Sequence, residues 1–308
     1  MVEALVSEIL KLNGLPANDV TRIKEGDDEF LYSVNGEYVL RLTPRDVRDQ
    51  FAKLTRVAGL DPALKVRACE QSLLGTKYNY ILYTKIRGVD FFDCAGDMPI
   101  ERMRELGKDV AGFMRRLHAV GGSTYDIGHY VPILPGFAGS WKAGHLEYWD
   151  YIRIKLDALG LSDRPLIREA FAFLESTRDS LDYQAGPALL HNDLHPKNII
   201  VDEGRFSGVI DWECSQFGEP DFELCHFIHW CLYPPSAGAD LVPFVKAILE
   251  ERPFRHDDGT FARRQGAYQV EHELMQVVWS GGGCLQAREP RLEAWIDGAA
   301  ERFIASFI

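Results

Sequence analysis

Four polar residues in the second half of the chain have the types and spacing of a catalytic site. His191, Asp193 and Asn198 lie in a polar segment after one apolar run, and Asp211 ends a later apolar run. Asp-Glu-Gly at 202–204 predicts a turn, so the pattern indicates a hairpin with Asp211 at its exit. Phosphoryl transfer needs a group that takes the proton of the attacking hydroxyl and oxygen ligands that hold magnesium against the phosphates. These residues could supply both; a polar surface loop of the same composition is the alternative.

The spacing matches that of a kinase catalytic loop, His-x-Asp-x-x-x-x-Asn, followed after a hairpin by a metal-binding Asp. Residues 191–198 are His-Asn-Asp-Leu-His-Pro-Lys-Asn, and residues 210–213 are Ile-Asp-Trp-Glu. This wording resembles the aminoglycoside phosphotransferase and choline kinase-like family of small-molecule kinases, because a protein kinase has Asp-Phe-Gly at the second place. Residues 217–224, Phe-Gly-Glu-Pro-Asp-Phe-Glu-Leu, are similar to the segment that leads into the C-terminal helices of that family.

The resemblance implies an α+β, two-lobed protein-kinase-like fold. We expect a small N-terminal, nucleotide-binding lobe with an antiparallel sheet over residues 1–88. A larger, mainly helical C-terminal lobe over residues 89–308 would carry the catalytic and acceptor-binding groups. The implied reaction transfers the γ-phosphate of ATP or GTP, with Mg²⁺, to a hydroxyl of a small molecule such as an aminoglycoside or another hydroxylated antibiotic. A metabolic kinase for choline, an amino alcohol or a sugar is the alternative.

The resemblance also implies roles for the motif residues. Asp193 would orient the acceptor hydroxyl and take its proton, while Asn198 and Asp211 would bind magnesium. Glu213 would reach a metal-bound water or an amine of the acceptor. His191 would brace the loop by hydrogen bonds.

The N-terminal strands are expected to build the nucleotide site. Strand alternation places Val39 and Arg41 on one face of the segment 37–42, so that Val39 would cover the purine. Arg41 would neutralise phosphate charge at the place of the usual kinase lysine, with an exposed strand arginine as the alternative. The other expected nucleotide contacts are Gly26, the backbone of Tyr83, Thr84 and Lys85 in the hinge, and the purine-sandwiching Ile200 and Ile210.

Two features depart from the family's pattern. The expected phosphate loop contains one glycine beside Asp27, Asp28 and Glu29, and we expect these acidic side chains to point away from the nucleotide because they would repel its phosphates. The helix predicted over 44–59 lacks the glutamate that pairs with the phosphate-binding cation in kinases. Asp49 is the expected shorter substitute, with a solvated helix face as the alternative.

Acidic residues near aromatic rings are the candidates for acceptor binding. Glu147 and Asp150 flank two aromatic residues in a helix predicted over 146–159, and Glu271 lies in a helix predicted over 263–280. Acidic side chains pair with amines, and aromatic rings stack on sugars or cations. A solvent-facing helix with its rings in the core is the alternative for the first segment.

Composition excludes some classes of protein. The 308 residues include 46 acidic and 34 basic ones, a net charge of −12, which disfavours nucleic-acid binding and suits a cationic substrate. The six cysteines are scattered without a Cys-x-x-Cys pair, as in a reduced cytosolic protein. No apolar run approaches the length of a membrane span, and the N-terminus has no secretory pattern. We therefore expect a cytoplasmic monomer or homodimer without a membrane or nucleic-acid partner.

Periodicity and turn residues predict the main elements. A helix is expected over 2–12, a hairpin around Asn35-Gly36, a second hairpin over 71–86, a helix over 99–120, and a single closing helix over 290–307.

Two other functions remain open on the residues alone. His191, Asp193 and His195 could bind zinc in a metal-dependent hydrolase, which would leave the Asn198 and Asp211 spacing unexplained. A catalytically inactive binding module of the same fold is the other possibility. His226 and His229 could form a metal pair, although core histidines are the simpler interpretation.

Overall fold

The structure of the protein is a computed structural model that describes most of the chain. The described ranges are 2–25, 29–60, 66–70, 75–126, 139–233, 240–251 and 259–307, without the side chains of Lys24, Glu25, Asp49, Val66, Ala68, Glu70 and Glu213. Within these ranges the helices are α1 Val2–Leu12, α2 Arg48–Val57, α3 Phe91–Cys94, α4 Ile100–His118, α5 Trp141–Ala158, α6 Pro165–Thr177, α7 Leu224–Leu232, α8 Val242–Glu250, α9 Phe261–Trp279, α10 Leu285–Ile296 and α11 Ala299–Ala305. The strands are β1 Val20–Glu25, β2 Phe30–Val34, β3 Tyr38–Thr43, β4 Val66–Glu70, β5 Asn79–Thr84, β6 Val89–Asp90, β7 Ala188–Leu190, β8 Ile199–Asp202, β9 Arg205–Val209 and β10 Gln216–Gly218.

The chain packs into two units, and each is discontinuous in sequence. The first unit comprises Met1–Phe91 and Lys197–Glu213, and the second comprises Phe92–Pro196 and Cys214–Ile308. The chain therefore leaves the second unit directly after the Asp193 loop and returns to it directly after Glu213.

An antiparallel five-stranded sheet forms most of the first unit, in the order β1-β2-β3-β5-β4. Helix α1 packs on it because Leu5, Ile9 and Leu10 share one helical face and are buried against strand residues such as Leu40. The Asn-Gly turn predicted between β2 and β3 is present, with positive φ angles of 52° at Asn35 and 69° at Gly36.

A second, three-stranded sheet, β6-β8-β9, completes the first unit and carries the hairpin predicted after the catalytic loop. Its turn has left-handed φ angles at Glu203 and Gly204. Gly88 precedes β6 with φ at 120°, and a Cβ there would overlap the backbone carbonyl of Val201. Gly88 thus allows β6 to lie directly against β8.

The second unit is mainly helical, with β7 and β10 paired as a short antiparallel ribbon. Helix α9 lies in its middle and packs against α5, α6, α7, α10 and α11. Most residues of α9 are buried, including charged ones: Arg264 is fully buried, with its Nε 2.6 Å from Asp221 Oδ2.

Three predicted elements differ in the structure. Helix α5 begins at Trp141 instead of residue 146, because the Ser140 side chain accepts a hydrogen bond from the Ala143 N–H and caps the helix there. The first strand of the second predicted hairpin is β4, which lies before residue 71. The single closing helix is wrong: α10 and α11 are separated at Gly298, whose φ is 81°, a conformation that ends a helix.

No helix within the described ranges has the length and apolar character needed to cross a bilayer.

Candidate active site

A cavity of about 330 Å³ lies in the first unit, within the size range of small-ligand sites. It is formed by β3, the end of β5, and the residues around β8 and β9. The sequence-predicted nucleotide contacts and metal ligands that line it are Val39, Arg41, Tyr83, Thr84, Lys85, Ile200, Ile210 and Asp211. Gly26, also predicted to contact the nucleotide, lies outside the described residues.

Strand alternation explains why one cavity has an apolar and a charged part. Val39 and Arg41 point to the same face of β3, as the sequence predicts, and both are largely buried. Ile200 and Ile210 provide further apolar wall. The cavity can therefore hold a flat apolar group next to a fixed positive charge.

Glu29 changes the charge of this cavity. Its carboxylate forms an ion pair with the Arg41 guanidinium, and it lines the same space. The expectation that the acidic loop side chains point away is wrong for Glu29, because the buried Arg41 attracts a compensating charge. The side chains of Asp27, Asp28 and Asp49 lie outside the described residues. The acidic partner of Arg41 that the structure describes is therefore Glu29, which lies immediately before β2.

The predicted hinge backbone is partly engaged within the sheet. Tyr83 and Thr84 pair with Val39 and Tyr38 across β5 and β3, and the Lys85 N–H donates to the Glu37 carbonyl at 2.7 Å. A purine at this edge would therefore use backbone groups other than the Lys85 N–H.

Asn198 and Asp211 are joined through the base of the β8–β9 hairpin. The Ile210 N–H donates to the Asn198 carbonyl at 3.0 Å, and Asp211 follows with φ at 65°. A left-handed conformation is uncommon outside glycine, and at this position it directs the chain away from β9 while the Asp211 side chain remains exposed. An amide oxygen and a carboxylate are the hard oxygen donors that Mg²⁺ prefers, so the donor chemistry fits that ion. The Glu213 side chain lies outside the described residues.

Asp193 lies in the second unit, in a loop between β7 and Pro196, with two histidines beside it. His195 Nε2 is 3.6 Å from Asp193 Oδ1, and His226 Nε2 is 4.0 Å from the same oxygen. The His195 ring stacks on Trp230 with a centroid separation of 4.7 Å, and His226 is held by donating from Nε2 to the Asn192 carbonyl at 3.1 Å. The Asp193 carboxylate is therefore surrounded by rings whose positions are fixed.

Glu223 braces this loop; it lies in the segment 217–224 singled out in the sequence, but no role was predicted for it. Its carboxylate accepts hydrogen bonds from the N–H groups of His191 and Asn192, each at 2.9 Å, where Asn192 has φ at 65°. Burial would raise the pKa of Glu223, but His118 and the His191 backbone outweigh it and hold the pKa below its ordinary value. Glu223 is thus a buried carboxylate that fixes the loop immediately before Asp193. Its place in that segment, at the start of an apolar helix, was the available signal.

A smaller cavity of about 40 Å³ lies in the second unit, among α5, α7 and α9. Glu271 lines it, as the sequence prediction of an acceptor-contacting acid requires. Glu147 and Asp150 do not: both are exposed on the opposite face of α5, and Asp150 pairs with Arg153 at 3.2 Å. The structure therefore brings one of the three predicted acids on α5 and α9 to a cavity.

The geometry disfavours the zinc hydrolase. Across the described ranges, no group of three or more His, Cys, Asp or Glu side chains is placed to hold a metal ion. His191 Nδ1 accepts a hydrogen bond from the Asp193 N–H at 3.3 Å, so this ring serves the loop. Burial lowers the pKa of His229 to about 3, and its ring packs against His272 and Trp295 as a core residue.

Comparison with known proteins agrees with this geometry. A model of the phosphotransferase enzyme family, APH, matches residues 19–253, which is well over half of the chain. The hygromycin-B 4-O-kinase of Escherichia coli is 22% identical over 323 residues, covering 92% of this chain and 88% of that protein.

Two solved structures are similar over nearly their whole length. The streptomycin–ATP–APH(2″)-IIa ternary complex superposes with a TM-score of 0.67 at 18% identity, covering 97% of both chains. A ternary complex of aminoglycoside phosphotransferase APH(4)-Ia with ADP and hygromycin B gives a TM-score of 0.66 at 19% identity, covering 96% of this chain and 97% of that chain. At this identity the likeness establishes the fold, and the predicted α+β, kinase-like fold is confirmed.

Proposed function

Because the chain belongs to the phosphotransferase enzyme family, we propose that it transfers the γ-phosphate of ATP to a hydroxyl group of an aminoglycoside or a related hydroxylated antibiotic. The acceptor class is supported by the relatives: one is a hygromycin-B 4-O-kinase, and the two similar structures hold streptomycin or hygromycin B together with a nucleotide. The predicted membership of the aminoglycoside phosphotransferase and choline kinase-like family is confirmed by the family match.

The observation that carries the proposal is the composition of the first-unit cavity. Arg41 and Asp211 lie in the same space as the apolar Val39, Ile200 and Ile210. A nucleotide has the matching parts, a flat base and a polyanionic chain. The apolar side chains sandwich the purine, and Arg41 pairs with phosphate oxygens through its planar fork of donors.

Asn198 and Asp211 would hold magnesium, since their oxygens suit it and Asp211 is exposed beside the cavity. The ion would neutralise charge that develops on the transferring phosphoryl group. The Ile210-to-Asn198 backbone bond keeps the chain segments of these two residues together, so the ligand set is preorganised.

Asp193 orients the acceptor hydroxyl and accepts its proton as the bond to phosphorus forms. His195 Nε2 and His226 Nε2 lie 3.6 and 4.0 Å from one oxygen of the carboxylate, and Glu223 fixes the backbone that precedes it. An Asp held in this way is the expected base or orienter of a phosphoryl acceptor.

A small amino alcohol is the second candidate acceptor. The second-unit cavity supports it because several aromatic rings there surround a single carboxylate, an arrangement that suits a small cation.

The test is acceptor-dependent ADP release with Mg²⁺ over aminoglycosides, hygromycin B, choline and simple sugars, for the wild type and Asp193→Asn. We expect turnover with an aminoglycoside or hygromycin B that falls about 10²- to 10⁴-fold in Asp193→Asn. Asp157→Asn, an exposed change on α5, is the matched control and retains turnover. Nucleotide binding without turnover for any acceptor, or equal turnover in Asp193→Asn, would overturn the proposal.

A further inference from the structure

The small cavity of the second unit contains polar atoms that the described part of the protein leaves unused. Glu271 Oε2 accepts two hydrogen bonds, from His145 Nδ1–H and from Trp149 Nε1–H, each at 2.6 Å. Among the described residues, no donor reaches the other carboxylate oxygen, Oε1. Two further atoms, His145 Nε2 and Gln216 Oε1, are themselves buried and have no hydrogen-bond partner in the described part of the chain. All three residues line the cavity.

The unused atoms are all hydrogen-bond acceptors. In the uncharged tautomer that donates from Nδ1 to Glu271, the His145 ring has a lone pair at Nε2, and the other two atoms are a carboxylate and an amide oxygen. Buried polar atoms are nearly always paired, because an unpaired one has lost its hydrogen bonds to water. The group that completes this cavity therefore brings several donors.

The charge of the cavity and its aromatic walls further limit the kind of ligand that it can bind. Glu271 is buried, and among the described lining residues it is the single acidic side chain. His145 is enclosed by rings, with centroid separations of 4.5 Å to Trp141, 5.4 Å to Tyr268 and 5.8 Å to Phe222. A carboxylate with an open oxygen and electron-rich aromatic walls both favour a small cation.

The volume of the cavity limits the size of the chemical group that can enter it. At roughly 10–15 Å³ for each water-sized group, a cavity of about 40 Å³ holds about three such groups. That excludes a whole sugar ring but admits a short side arm of one.

We propose that this cavity is a socket for one ammonium-bearing arm of the acceptor, such as an aminomethyl group on a sugar ring. The inference rests on the proposed function, because it specifies which group of the acceptor is recognised. Glu271 and His145 are the specificity-determining residues: the ammonium group donates to Glu271 Oε1 and to His145 Nε2. His226 lines the same cavity and its Nε2 lies 4.0 Å from Asp193 Oδ1, so an arm seated in the socket brings the remainder of the acceptor beside the Asp193 loop.

Neomycin and paromomycin provide the test, since they differ in one aminomethyl or hydroxymethyl group. Binding of each is followed by intrinsic tryptophan fluorescence, because Trp141 and Trp279 line the cavity and Trp149 bonds to Glu271. We expect the wild type to bind neomycin about ten- to a hundredfold more tightly than paromomycin, the range of a hydrogen bond to a charged group. Glu271→Gln keeps the shape and an acceptor for Trp149 but removes the charge, and the preference falls to less than threefold.

Two further variants keep the result interpretable. His145→Gln leaves the Glu271 charge in place and is expected to lose part of the preference, which matters if Glu271→Gln does not fold. Glu169→Gln makes the same charge change on the exposed face of α6 and retains the full preference. The socket is overturned if the wild type binds both compounds equally or binds neither, or if both cavity variants discriminate as the wild type does.

The binding readout separates this inference from the proposed function. A preference for neomycin that Glu271→Gln abolishes, without phosphoryl transfer to either compound, would support the socket and contradict the aminoglycoside kinase. Phosphoryl transfer to both compounds, bound with equal affinity, would support the aminoglycoside kinase and contradict the socket.

Discussion

At the scale of single residues, the charge of the first-unit cavity, the proposed nucleotide site, is set by an ion pair. Arg41 is buried in a strand and paired with Glu29, whose side chain is 28% exposed. Phosphates must therefore compete with a carboxylate for the guanidinium, and the carboxylate itself repels them. The pair lowers the cost of burying Arg41 and at the same time weakens the attraction for nucleotide.

Glu29→Gln is expected to lower the KM for ATP by about two- to tenfold, because it removes the competing charge while leaving a group that can accept from Arg41. The measurement is initial-rate kinetics with varied ATP. Glu37→Gln, an exposed charge change in the β2–β3 turn, is the control and leaves the KM unchanged. An unchanged or higher KM in Glu29→Gln would contradict this account of the cavity.

Glu219 gives a pH dependence to stability. It is fully buried and accepts from Tyr125 and from the Ala185 N–H at 2.8 Å, and burial raises its pKa to about 7. Because the folded-state pKa exceeds the unfolded value, its stabilisation is complete below about pH 4.5 and is lost as the pH rises through about 7.

The free energy of unfolding of the wild type should therefore fall by about 2 kcal/mol more between pH 5.5 and 8 than that of Glu219→Gln. Urea titrations at the two pH values measure the difference. The exposed Glu169→Gln should follow the wild type, and parallel curves for Glu219→Gln and the wild type would show that Glu219 does not titrate in this range.

At the scale of elements, the packing of α4 on α8 depends on the absence of one side chain. A Cβ at Gly107 would lie 2.5 Å from the Phe244 carbonyl oxygen and 2.9 Å from the Ala247 Cβ. Gly112, in the same helix, would meet nothing closer than 3.8 Å, at the ends of flexible arginines. The two positions have the same helix propensity, but Gly107 is in close contact with α8 and Gly112 has free space beside it.

Gly107→Ala should destabilise the protein by about 1–3 kcal/mol, because α8 must move to admit the methyl group. Gly112→Ala should stabilise it by up to about 1 kcal/mol, because alanine is the better helix former and finds free space. Thermal and urea unfolding of the two variants provides the comparison. A shift of the same sign in both would mean that α4 and α8 can separate at little cost.

Elements with a local signal were predictable from the sequence, and those decided by distant contacts were not. The Asn35-Gly36 hairpin and α1 follow from turn residues and apolar periodicity, and both are present. The start of α5 depends on a Ser140 cap after a glycine- and proline-rich stretch, which hides the helical pattern. The prediction of a helix beginning at Pro290 is wrong, because α10 encloses that residue and ends before Gly298.

In the candidate active site, too, residues with a local signal were predictable and residues placed by distant contacts were not. Spacing alone identified Asp193, Asn198 and Asp211, whose roles stay predictions. Glu223 and His145 were missed because each acts on a residue far away in sequence: Glu223 bonds His191 and Asn192, and His145 bonds Glu271. Long-range pairs of this kind leave no period in the sequence.

At the scale of the whole molecule, the net charge of −12 favours encounter with cations. Raising NaCl from about 50 to about 300 mM shortens the screening length to roughly two fifths. We expect kcat/KM for a polycationic aminoglycoside to fall about three- to tenfold over this range, and kcat/KM for an uncharged sugar acceptor to stay within about twofold. Equal salt dependence for the two acceptors would show that the protein's overall field does not contribute to capture.

The discontinuity of the first unit restricts how the gene of this protein can recombine with those of its relatives. A single crossover just after β6, at Phe91, would take β6 from one parent and its sheet partners β8 and β9 from the other, and would divide the lining of the first-unit cavity between them. Gly88 from one parent would then pack against the Val201 backbone of the other parent. At this contact there is no room even for a methyl group. Exchange of this unit as a whole requires the segment Lys197–Glu213 to travel with it, so its inheritance is tied to the very stretch that carries Asn198 and Asp211.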